Sequence, residues 1–435
     1  MRAIYALLTY LLLLPYSLYW VLRGLVNRRY WDRFGQRFGL GFPDMPPGSL
    51  WVHAVSVGEV QASVPLVREL RRRFPAREIL VTTVTPTGAE HAKKVFGDTA
   101  RHCYIPFETP QAVRRFFDAA KPALALIMET EIWPNLYHEC GQRDIPLVLV
   151  SARISPRSVE RYRRLLPLFR EALSHGILIA AQGDADAQRF LSLGANPART
   201  WITGNIKFDI ELPQELPELG ARFRRRHFGE RPVWIAASTH EKEEEFALEA
   251  HRQILKQLPN AVLMLVPRHP ERFESVAGLI EREGFRFKRR SGNESLEPST
   301  SVLLGDSMGE LTMFYAASDV AFVGGTLVPV GGHNLLEPGA LGLPVVTGPH
   351  LFNTLEIAEL FRDIGASIEV QDADGLANAV IPLLQDSAAA VSMGIKGRQV
   401  VTSNRGALRR LMVLLKPLVA KVDLDAVDSD RRGRS

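Results

Sequence analysis

Short apolar runs alternate with amphipathic stretches along most of the chain, and this alternation constrains the fold more than any other feature of the sequence. From Ser49 onward each run is rich in strand-forming residues and is followed by a stretch of helical periodicity. The runs of the first half are LWVHAVS, EILVTTV, HCYIPF, ALALIME, PLVLVSA and GILIAAQ. Such alternation predicts a parallel β-sheet whose strands are connected by crossover helices.

The alternation pauses at ELPQELPELG, residues 211–220, where prolines and a high charge density predict a linker. It resumes with PVWIAAS, AVLMLVP, SVLLGDS, DVAFVGG and LPVVTGP. The sequence therefore predicts an α/β protein with two doubly wound domains in tandem. The predicted segments are 1–28 for an N-terminal anchor with its basic flank, 29–210 and 221–402 for the domains, and 403–435 for an amphipathic helix and tail. Because ligands of such sheets bind beyond the carboxyl ends of the strands, we expect a site in an interdomain cleft.

Length and composition agree with this prediction. A chain of 435 residues, with 46% hydrophobic and 23% charged residues, is ordinary for a globular protein of about two or three domains. The two cysteines, Cys103 and Cys140, cannot form a disulfide framework. They favour a reducing compartment and hence a cytosolic body.

The N-terminal segment AIYALLTYLLLLPYSLYWVL, residues 3–22, carries no charge and is about as long as one membrane-spanning helix. It leads directly into Arg23 without a small-residue cleavage site, which favours an uncleaved anchor over a signal peptide. A buried core helix is the alternative, and Pro15 leaves open a kinked or surface-lying helix. The arginines that follow place the body in the cytoplasm by the positive-inside rule. They are Arg23, Arg28, Arg29, Arg33 and Arg37.

The net charge of +5 and the pI near 9.2 suit an anionic lipid, a phosphorylated substrate or a nucleic acid. A second basic cluster, RISPRSVERYRR, lacks the interleaved aromatic residues of single-strand binders, so we expect no nucleic-acid partner. A membrane surface or phosphorylated lipid fits better, and a solvated helix face is the alternative. The cluster comprises Arg153, Arg157, Arg161, Arg163 and Arg164.

Common nucleotide motifs are absent, because no strand is followed by G-x-G-x-x-G and no G-x-x-x-x-G-K-[ST] loop occurs. GDSMG, residues 305–309, does match the G-x-S-x-G nucleophile elbow. With Asp319 and then His333 or His350, it keeps a serine hydrolase as an alternative. A capping box formed by Ser307 and Glu310 explains the same residues more simply.

Two D-x-D stretches, residues 184–186 and 372–374, could hold a divalent cation. Both precede helical patterns, where aspartate caps the helix, and the capping interpretation is favoured. The sequence also lacks a compact His/Cys cluster with zinc spacing. We therefore predict no metal.

The stretch most suggestive of a ligand is VGGTLVPVGGHNLLEPGALGLPVVTGPH, residues 323–350. Its glycines allow close approach of a ligand, HNLLEP predicts a helix start suited to phosphate, and Glu337 could bind ribose hydroxyls, although glycine-rich turns are often only turns. Arg268 directly follows a strand, Met308 to Glu310 offer a second helix start, and Lys207 precedes the linker. Together these features predict an anion-binding cleft.

Glu59 in HAVSVGE can be interpreted in two ways. Ser56 and Glu59 have capping-box spacing, as do Ser238 and Glu241 and the pair at 307 and 310. Glu59 also follows the first strand of the first domain, where a general base would meet a substrate.

The motifs together resemble the 3-deoxy-D-manno-octulosonic acid (Kdo) transferases of lipopolysaccharide biosynthesis, over nearly the whole chain. They are HAVSVGE, TTVTPTG, METEIWPN, SARIS, GNIKFD, VPRHPERF, GDSMGEL and VGGTLVPVGGHNLLEP. The resemblance implies a GT-B architecture of two Rossmann-like domains facing a cleft, with the C-terminal helix crossing back toward the first domain. It implies a CMP-Kdo donor, a tetraacylated lipid A precursor (lipid IVA) as acceptor, and inverting transfer at the cytoplasmic face of the inner membrane without a metal or another cofactor.

The resemblance also assigns roles to residues, and we see no departure from the family pattern in these stretches. It places the catalytic base on Glu59 and the positions that assist the transition state on Glu129 and Lys207. The implied CMP contacts are Pro267, Arg268, Met308, Gly309, Glu310, Asn334, Leu335, Leu336 and Glu337. A UDP-sugar transferase of the same architecture and a membrane-anchored binding module remain alternatives.

Overall fold

The computed structural model describes residues 2–163, 166–174 and 176–432, and it divides into two compact units. Unit 1 comprises residues 1–209 and 404–435, and unit 2 comprises residues 210–403. The C-terminal segment therefore belongs to the same unit as the N-terminus.

Unit 1 contains a parallel sheet of seven strands in the order β3-β2-β1-β4-β5-β6-β7. Its central strands are buried along their whole length, which explains their nearly continuous apolar sequences. The strands are β1 (Ser49–His53), β2 (Ile79–Thr83), β3 (Arg101–Tyr104), β4 (Pro122–Met128), β5 (Leu147–Ala152), β6 (Leu178–Ala181) and β7 (Thr200–Ile202).

Helices cover both faces of this sheet, and each face has its own hydrophobic core. They are α1 (Arg2–Val26), α2 (Val57–Arg73), α3 (Pro86–Phe96), α4 (Pro110–Ala120), α5 (Pro134–Gln142), α6 (Pro156–Arg163), α7 (Leu166–Ser174), α8 (Asp184–Ser192) and the C-terminal α17 (Ala407–Arg432). Trp51 and Phe116 pack in one core, whereas Leu411 and Leu415 of α17 pack in the other core with Leu124 of β4.

Unit 2 contains a second parallel sheet of seven strands, in the order β10-β11-β9-β8-β12-β13-β14. The strands are β8 (Val233–Thr239), β9 (Val262–Pro267), β10 (Phe287–Arg289), β11 (Val302–Leu304), β12 (Val320–Val323), β13 (Val345–Thr347) and β14 (Ser367–Glu369). The helices are α9 (Leu216–His227), α10 (Glu243–Gln257), α11 (Phe273–Arg282), α12 (Leu311–Ala316), α13 (Leu336–Leu341), α14 (Leu355–Asp363), α15 (Ala373–Gln385) and α16 (Ser387–Asn404), which ends at the first residue returning to unit 1.

The structure differs from the predicted linker over 211–220, because α9 begins inside it at Leu216. Pro217 stands in the first turn, where its missing N–H would have no helical partner, so the proline that suggested a linker starts a helix. Gly220 is buried, and a Cβ there would lie 2.5 Å from Cβ of Ala316. At the other end of the chain, α17 continues to Arg432 through most of the predicted tail.

The apolar N-terminal helix α1 packs against unit 1 near both of its ends. Near its start, Arg2 Nε lies 3.7 Å from Glu171 Oε1. Further along, the ring centroids of Tyr16 and Phe107 are 4.9 Å apart, and Trp20 is only 4% exposed. One side of the helix is thus part of the fold of unit 1.

The other side of α1 is exposed and apolar. Among the described residues, α1 is the one helix long and apolar enough to cross a membrane, and only 6% of its most apolar window is buried. The large exposed residues include Ile4, Leu7, Leu8, Leu11, Leu12, Leu14, Leu18, Leu22 and Leu25.

Two of the arginines that were assigned to the membrane flank instead face the protein. Arg37 is 1% exposed, its guanidinium carbon lies 3.8 Å from the Trp20 ring centroid, and it donates a hydrogen bond to the carbonyl of Val84. Burial lowers the pKa of Arg37 to about 10 despite nearby tyrosines. Arg33 donates to the carbonyl of His102. Fewer arginines than the sequence indicated are therefore available to set the orientation of α1 by the positive-inside rule.

Candidate functional site

The predicted base and the predicted transition-state residues meet at the carboxyl edge of the sheet in unit 1. The strand order reverses direction between β1 and β4, which are neighbours, and such a switch point is where doubly wound sheets bind ligands. Glu59 lies in the first turn of α2, directly after β1, and Glu129 directly follows β4. Lys207 follows β7 in a short 3₁₀ turn, Ile206–Phe208.

Glu59 combines a partial cap with a free oxygen. Its backbone N–H donates to Ser56 Oγ over 3.4 Å, and its Oε2 accepts a 2.5 Å hydrogen bond from the N–H of Val55 rather than from that of Ser56. The other carboxylate oxygen, Oε1, accepts no hydrogen bond from the described residues. The capping geometry therefore orients the side chain and leaves one oxygen available.

The environment of Glu59 makes it a stronger base. Burial first, and then the negative charges of Glu129 and Glu131, raise the pKa of Glu59 to about 8 against the opposing effects of the Val55 hydrogen bond and Lys207. A carboxylate with a pKa near neutrality is suited to taking a proton from a hydroxyl.

Glu129 is held by two cations. Its Oε1 lies 2.7 Å from Lys207 Nζ and its Oε2 lies 2.9 Å from Arg153 Nε. Burial raises the pKa of Glu129, but the two cations outweigh that effect and hold the pKa below its usual value. The backbone of Glu129 is left-handed, with φ of 55°, a strained conformation for a residue with a side chain. Glu129 therefore stays ionised beside Glu59.

The turn that carries Lys207 is fixed from several sides. Asn205 Oδ1 accepts from the N–H of Lys207, and Ser151 Oγ accepts from the N–H of Ile206. Asp209 accepts 2.6 Å hydrogen bonds from the N–H groups of Gly406 and Leu408 at the start of α17. These hydrogen bonds to the start of the C-terminal helix help to fix the position of the Lys207 turn.

The sequence did not place two further residues, Glu131 and Arg153, in this cluster. Glu131 accepts a 2.7 Å hydrogen bond from Trp133 Nε1, and its pKa is raised by burial and by Glu129. Arg153 stood in a basic cluster assigned to lipid, but here it pairs with Glu129. The second glutamate of METE was a usable signal for Glu131, whereas nothing in the sequence connected Arg153 with Glu129.

In unit 2 the residues predicted to bind CMP lie after β9, β11 and β12. Pro267 is buried at the end of β9, and Arg268 is exposed and takes part in no ion pair among the described residues. Met308 is 53% exposed and Gly309 has a φ of 84°. Glu310 accepts hydrogen bonds from Arg290 and Ser307.

The HNLLEP segment contains a helix start, as the sequence predicted, and the helix that follows is short. α13 has six residues, and Asn334 Oδ1 already accepts from the N–H of Leu336 at its start. Leu335 and Leu336 are buried. Asn334 Nδ2 donates over 3.1 Å to Glu337 Oε1, and burial raises the pKa of Glu337. At this helix start the exposed Asn334 side chain and the half-buried Glu337 side chain provide polar groups, and the N–H of Leu336 is already engaged by Asn334.

The glycine-rich loop after β12 holds a carboxylate of the protein itself. Glu243 is fully buried, and it accepts hydrogen bonds of 2.7 to 2.9 Å from the N–H groups of Gly325, Thr326, Leu327 and His240. The sequence suggested that the glycines of this loop allow close approach of a ligand, but the N–H of Gly325 already donates to Glu243. In the EKEEE sequence this residue looks like an exposed acid at a helix start, so its role was missed.

The serine hydrolase alternative is wrong. Ser307 donates a 2.5 Å hydrogen bond to Glu310 Oε2 and has no histidine partner among the described residues. Asp319 precedes β12, at the amino edge of the sheet, where it accepts from Arg224 and from the N–H of Val233. Ser307 follows β11 at the opposite edge, so the predicted triad cannot assemble.

The D-x-D stretches serve structural roles. Asp372 caps α15 by accepting from the N–H of Gly375, and Asp374 accepts from Gln253. Asp186 accepts from the N–H of Ile154. No group of three or more His, Cys, Asp or Glu residues in the described part of the chain is placed to hold a metal ion.

Two further sequence predictions concern a capping box and the second basic cluster. The capping box at Ser238 and Glu241 does not form, because α10 begins only at Glu243. The carboxylate of Glu243, and not that of Glu241, accepts a hydrogen bond from the N–H of His240. Within the second basic cluster, Arg157, Arg161 and Arg163 lie on α6, and Arg164 lies outside the described residues.

Comparisons with known proteins agree on one family. The family model described as "3-Deoxy-D-manno-octulosonic-acid transferase (kdotransferase)" matches residues 32–210, and the one described as "Glycosyl transferases group 1" matches residues 231–400. A 3-deoxy-D-manno-octulosonic acid transferase from Haemophilus influenzae is 45% identical over 396 residues, which cover 90% of this chain and 93% of that protein.

One solved structure supports the fold, and a second is similar in sequence to part of the chain. Acinetobacter baumannii MurG is 12% identical with a TM-score of 0.54, over 85% of this chain and 100% of that chain, and it shares the two-sheet fold. The C-terminal CMP-Kdo binding domain of WaaA from A. baumannii is 38% identical, with a TM-score of 0.42, over 43% of this chain and 99% of that chain. The predicted fold class, two Rossmann-like domains of GT-B type with an apolar N-terminal helix, is confirmed.

Proposed function

Because the chain belongs to the Kdo transferase family of glycosyltransferases, we propose that it transfers Kdo from CMP-Kdo to a hydroxyl of a tetraacylated lipid A precursor, lipid IVA, in lipopolysaccharide biosynthesis. The observation that carries this proposal is the Glu59 carboxylate, which has a raised pKa and a free oxygen beside the Glu129–Lys207 ion pair. This arrangement lies at the edge where such a sheet binds substrate.

In the proposed reaction Glu59 is the general base. As CMP leaves, the anomeric carbon of Kdo gains oxocarbenium character, and the acceptor hydroxyl attacks from the opposite face. Glu59 takes the hydroxyl proton, so one carboxylate suffices for inversion of configuration. A positioned base of suitable pKa contributes a rate factor of about 10² to 10⁴.

Lys207 and Glu129 act as a unit in this proposal. The Lys207 ammonium stabilises negative charge that develops in the transition state, an electrostatic effect that is strong in a partly buried site. Glu129 holds the ammonium at 2.7 Å and raises the pKa of Glu59. Glu129 is thus a positioning residue, and Arg153 keeps it ionised.

We propose that unit 2 binds the nucleotide of the donor. Arg268 offers an exposed guanidinium for phosphate, and the Asn334 and Glu337 side chains offer hydrogen-bonding groups for the nucleoside. Met308 provides an exposed apolar surface, which suits a base. No step of this scheme requires a metal or another cofactor.

We propose that α1 lies in the surface of the inner membrane instead of crossing it. A helix that packs against unit 1 through Arg2 at one end and Trp20 near the other cannot leave the protein surface without losing these contacts. Its exposed leucine face is then the part that enters the lipid. The body lies on the cytoplasmic side, where the lipid acceptor is reached.

The test is a transfer assay with purified protein, lipid IVA and freshly generated CMP-Kdo, in which mass spectrometry counts the sugars added. We expect transfer by the native chain and a loss of about 10² to 10⁴ in rate for Glu59→Gln, with CMP binding and melting temperature retained. Glu78→Gln, at a surface ion pair with Arg101, is the matched control and should leave the rate unchanged.

Three outcomes would contradict the proposal. Full activity of Glu59→Gln would remove the base assignment and favour a binding module. Inhibition by UDP but not by CMP would favour a UDP-sugar donor. Absence of transfer by the native chain to lipid IVA would remove the acceptor.

A further inference from the structure

Two histidines of unit 2 form a pair that the proposed roles leave unexplained. Nε2 of His240 and Nε2 of His333 are 2.8 Å apart, and the two rings are nearly parallel, at 4°. At this distance one nitrogen must donate a proton and the other must accept it, so the pair shares one proton. The pair lies after β8 and β12, which are neighbours where the strand order of this sheet reverses.

The buried carboxylate of Glu243 fixes the position of both histidines. Its Oε2 accepts 2.9 Å and 2.7 Å hydrogen bonds from the N–H groups of His240 and Gly325. The carbonyl of Gly325 accepts from the N–H groups of Gly331 and Gly332, the residues directly before His333. A buried scaffold therefore sets the geometry of the pair.

Gly325 is required for the His333 ring to sit where it does. A Cβ at Gly325 would lie 3.1 Å from Cδ2 and 3.2 Å from Nε2 of His333, closer than most side-chain contacts allow. Gly325 also has a φ of 71°, which favours glycine. The glycine thus has a steric role beside the histidine pair.

The charges around the pair are mainly positive. The pKa of His240 is lowered to about 4 by burial first and then by the charges of His269, Arg268 and Arg272. The pKa of His333 is lowered to about 3 by burial first and then by His240, Arg268 and His269. Arg272 also acts on His240, but Glu244 balances its charge at 2.5 Å.

Negative groups near the pair are already engaged. The Glu243 carboxylate is held by four backbone N–H groups, and Glu271 lies 3.8 Å from Nδ1 of His269. Arg268 has no ion-pair partner among the described residues. Among the described residues, each of these carboxylates is therefore already engaged, and none pairs with Arg268.

We propose that the His240–His333 pair is an oxyanion-binding element for the sugar-nucleotide donor, which gains one proton from solvent when the donor binds beside Arg268. This inference rests on the proposed CMP-Kdo donor. No covalent bond forms or breaks in this step. The proton converts one neutral imidazole into an imidazolium, and charge-assisted hydrogen bonds to an oxyanion are about twice as strong as neutral ones.

The donor offers two oxyanions of the required chemistry, the phosphodiester of CMP and the carboxylate of Kdo. Either would supply the negative charge that the cluster of Arg268, His240, His269 and His333 lacks. Before the donor binds, a neutral pair avoids an uncompensated buried charge. Binding and proton uptake are therefore linked, and the pair distinguishes a charged donor from a neutral nucleoside.

The experiment is isothermal titration calorimetry of the full chain near neutral pH, in two buffers that differ in ionisation enthalpy. The ligands are cytidine, the methyl ester of CMP, whose single charge does not titrate near neutrality, and fresh CMP-Kdo. We expect net proton uptake with at least one charged ligand and none with cytidine. For His333→Gln and His240→Gln we expect the uptake to vanish and the affinity for that ligand to fall about tenfold, with cytidine affinity unchanged.

His227→Gln is the matched control, because His227 lies in α9 of the same unit and contacts the carbonyl of Glu294. If proton uptake and its loss in the histidine variants are seen with the CMP ester, the pair binds the phosphate. If they are seen only with CMP-Kdo, the pair binds the carboxylate of Kdo. No proton uptake by the native chain with either charged ligand would overturn the inference, whatever the stability of the variants.

An equal loss of cytidine and CMP ester affinity in both histidine variants would also overturn it, because general damage would explain such a loss. If the native chain bound neither cytidine nor the CMP ester, the proposed donor would fail and this inference would fail with it. A third outcome is that both histidine variants bind the CMP ester and CMP-Kdo as tightly as the native chain does. In that case the assignment of the histidine pair would fail, and the proposed donor would stand.

Discussion

The raised pKa of Glu59 predicts how activity depends on pH. Below a pKa of about 8 the side chain is mostly protonated and cannot accept a proton, so kcat/KM should rise with pH up to about 8 and then level. In Glu129→Gln the rise should move to lower pH, because one of the negative charges that raise this pKa is removed while Lys207 stays positive. Transfer rates of the native chain and of Glu129→Gln, measured over this pH range, test both expectations.

A carbon-13 NMR titration of the Glu59 carboxyl provides a readout that does not depend on activity. It should show the same downward displacement of the pKa in Glu129→Gln, whereas Glu78→Gln should leave the titration in place. An unmoved or upward-moved titration in Glu129→Gln would show that Glu129 does not act on Glu59 as the structure indicates.

Glu243 predicts a large effect on stability from a change of one atom. In Glu243→Gln the amide NH₂ replaces an oxygen that accepts backbone hydrogen bonds, so donors face donors in a fully buried site. We expect the free energy of unfolding to fall by about 3 kcal/mol, measured by urea denaturation. Glu245→Gln, an exposed neighbour in the same helical turn, is the control and should change it by less than about 0.5 kcal/mol.

Among the elements, the C-terminal helix α17 has a specific link to the candidate site. Asp209 caps it and belongs to the turn of Lys207. Asp209→Ala should lower the free energy of unfolding by about 1 to 2 kcal/mol and lower kcat about tenfold, because the ammonium loses its fixed position. Asp372→Ala removes a comparable cap from α15 and should cost similar stability with no change in kcat. Equal effects of both variants on kcat would contradict the link.

The sequence predicted the buried strands and the edge strand β3, but it missed the other three edge strands, β7, β10 and β14. β4, fully buried, has a continuous apolar sequence that can be recognised without a structure. β7, β10 and β14 have three residues each, and their side chains are half-buried or exposed, so their sequences carry no clear periodicity. Their place is determined by the neighbouring strand and not by their own residues.

The site shows the same division between local and long-range information. Glu59 has a local signal, the turn after a strand, and the structure places it where that signal indicated. Glu243 has a misleading one, because three adjacent glutamates indicate a solvated helix start. Its partners lie about 80 residues away, in the loop after β12, and one sequence cannot reveal a hydrogen bond of such separation.

At the level of the whole molecule, each unit carries its main polar cluster at the same topological position. In unit 1 Glu59 and Glu129 follow adjacent strands at the switch point, and in unit 2 His240 and His333 do so. The two clusters differ in charge, because the first is rich in carboxylates and the second in imidazoles and guanidinium groups. This difference suits a division of labour in which unit 1 removes a proton and unit 2 binds an anionic donor.

The exposed face of α1 predicts how the whole molecule attaches to lipid. In the triple variant three exposed leucines of α1 are replaced by serine. Each leucine side chain would contribute about 1.5 to 3 kcal/mol when buried in lipid, so binding to vesicles should fall at least about a hundredfold. The melting temperature should change little, because these side chains are mostly exposed. The leucines are Leu11, Leu14 and Leu18, and the matched control replaces the equally exposed Val391, Ile395 and Val413. Vesicle flotation measures binding, and equal losses in both triple variants would show that attachment does not depend on this face of the helix.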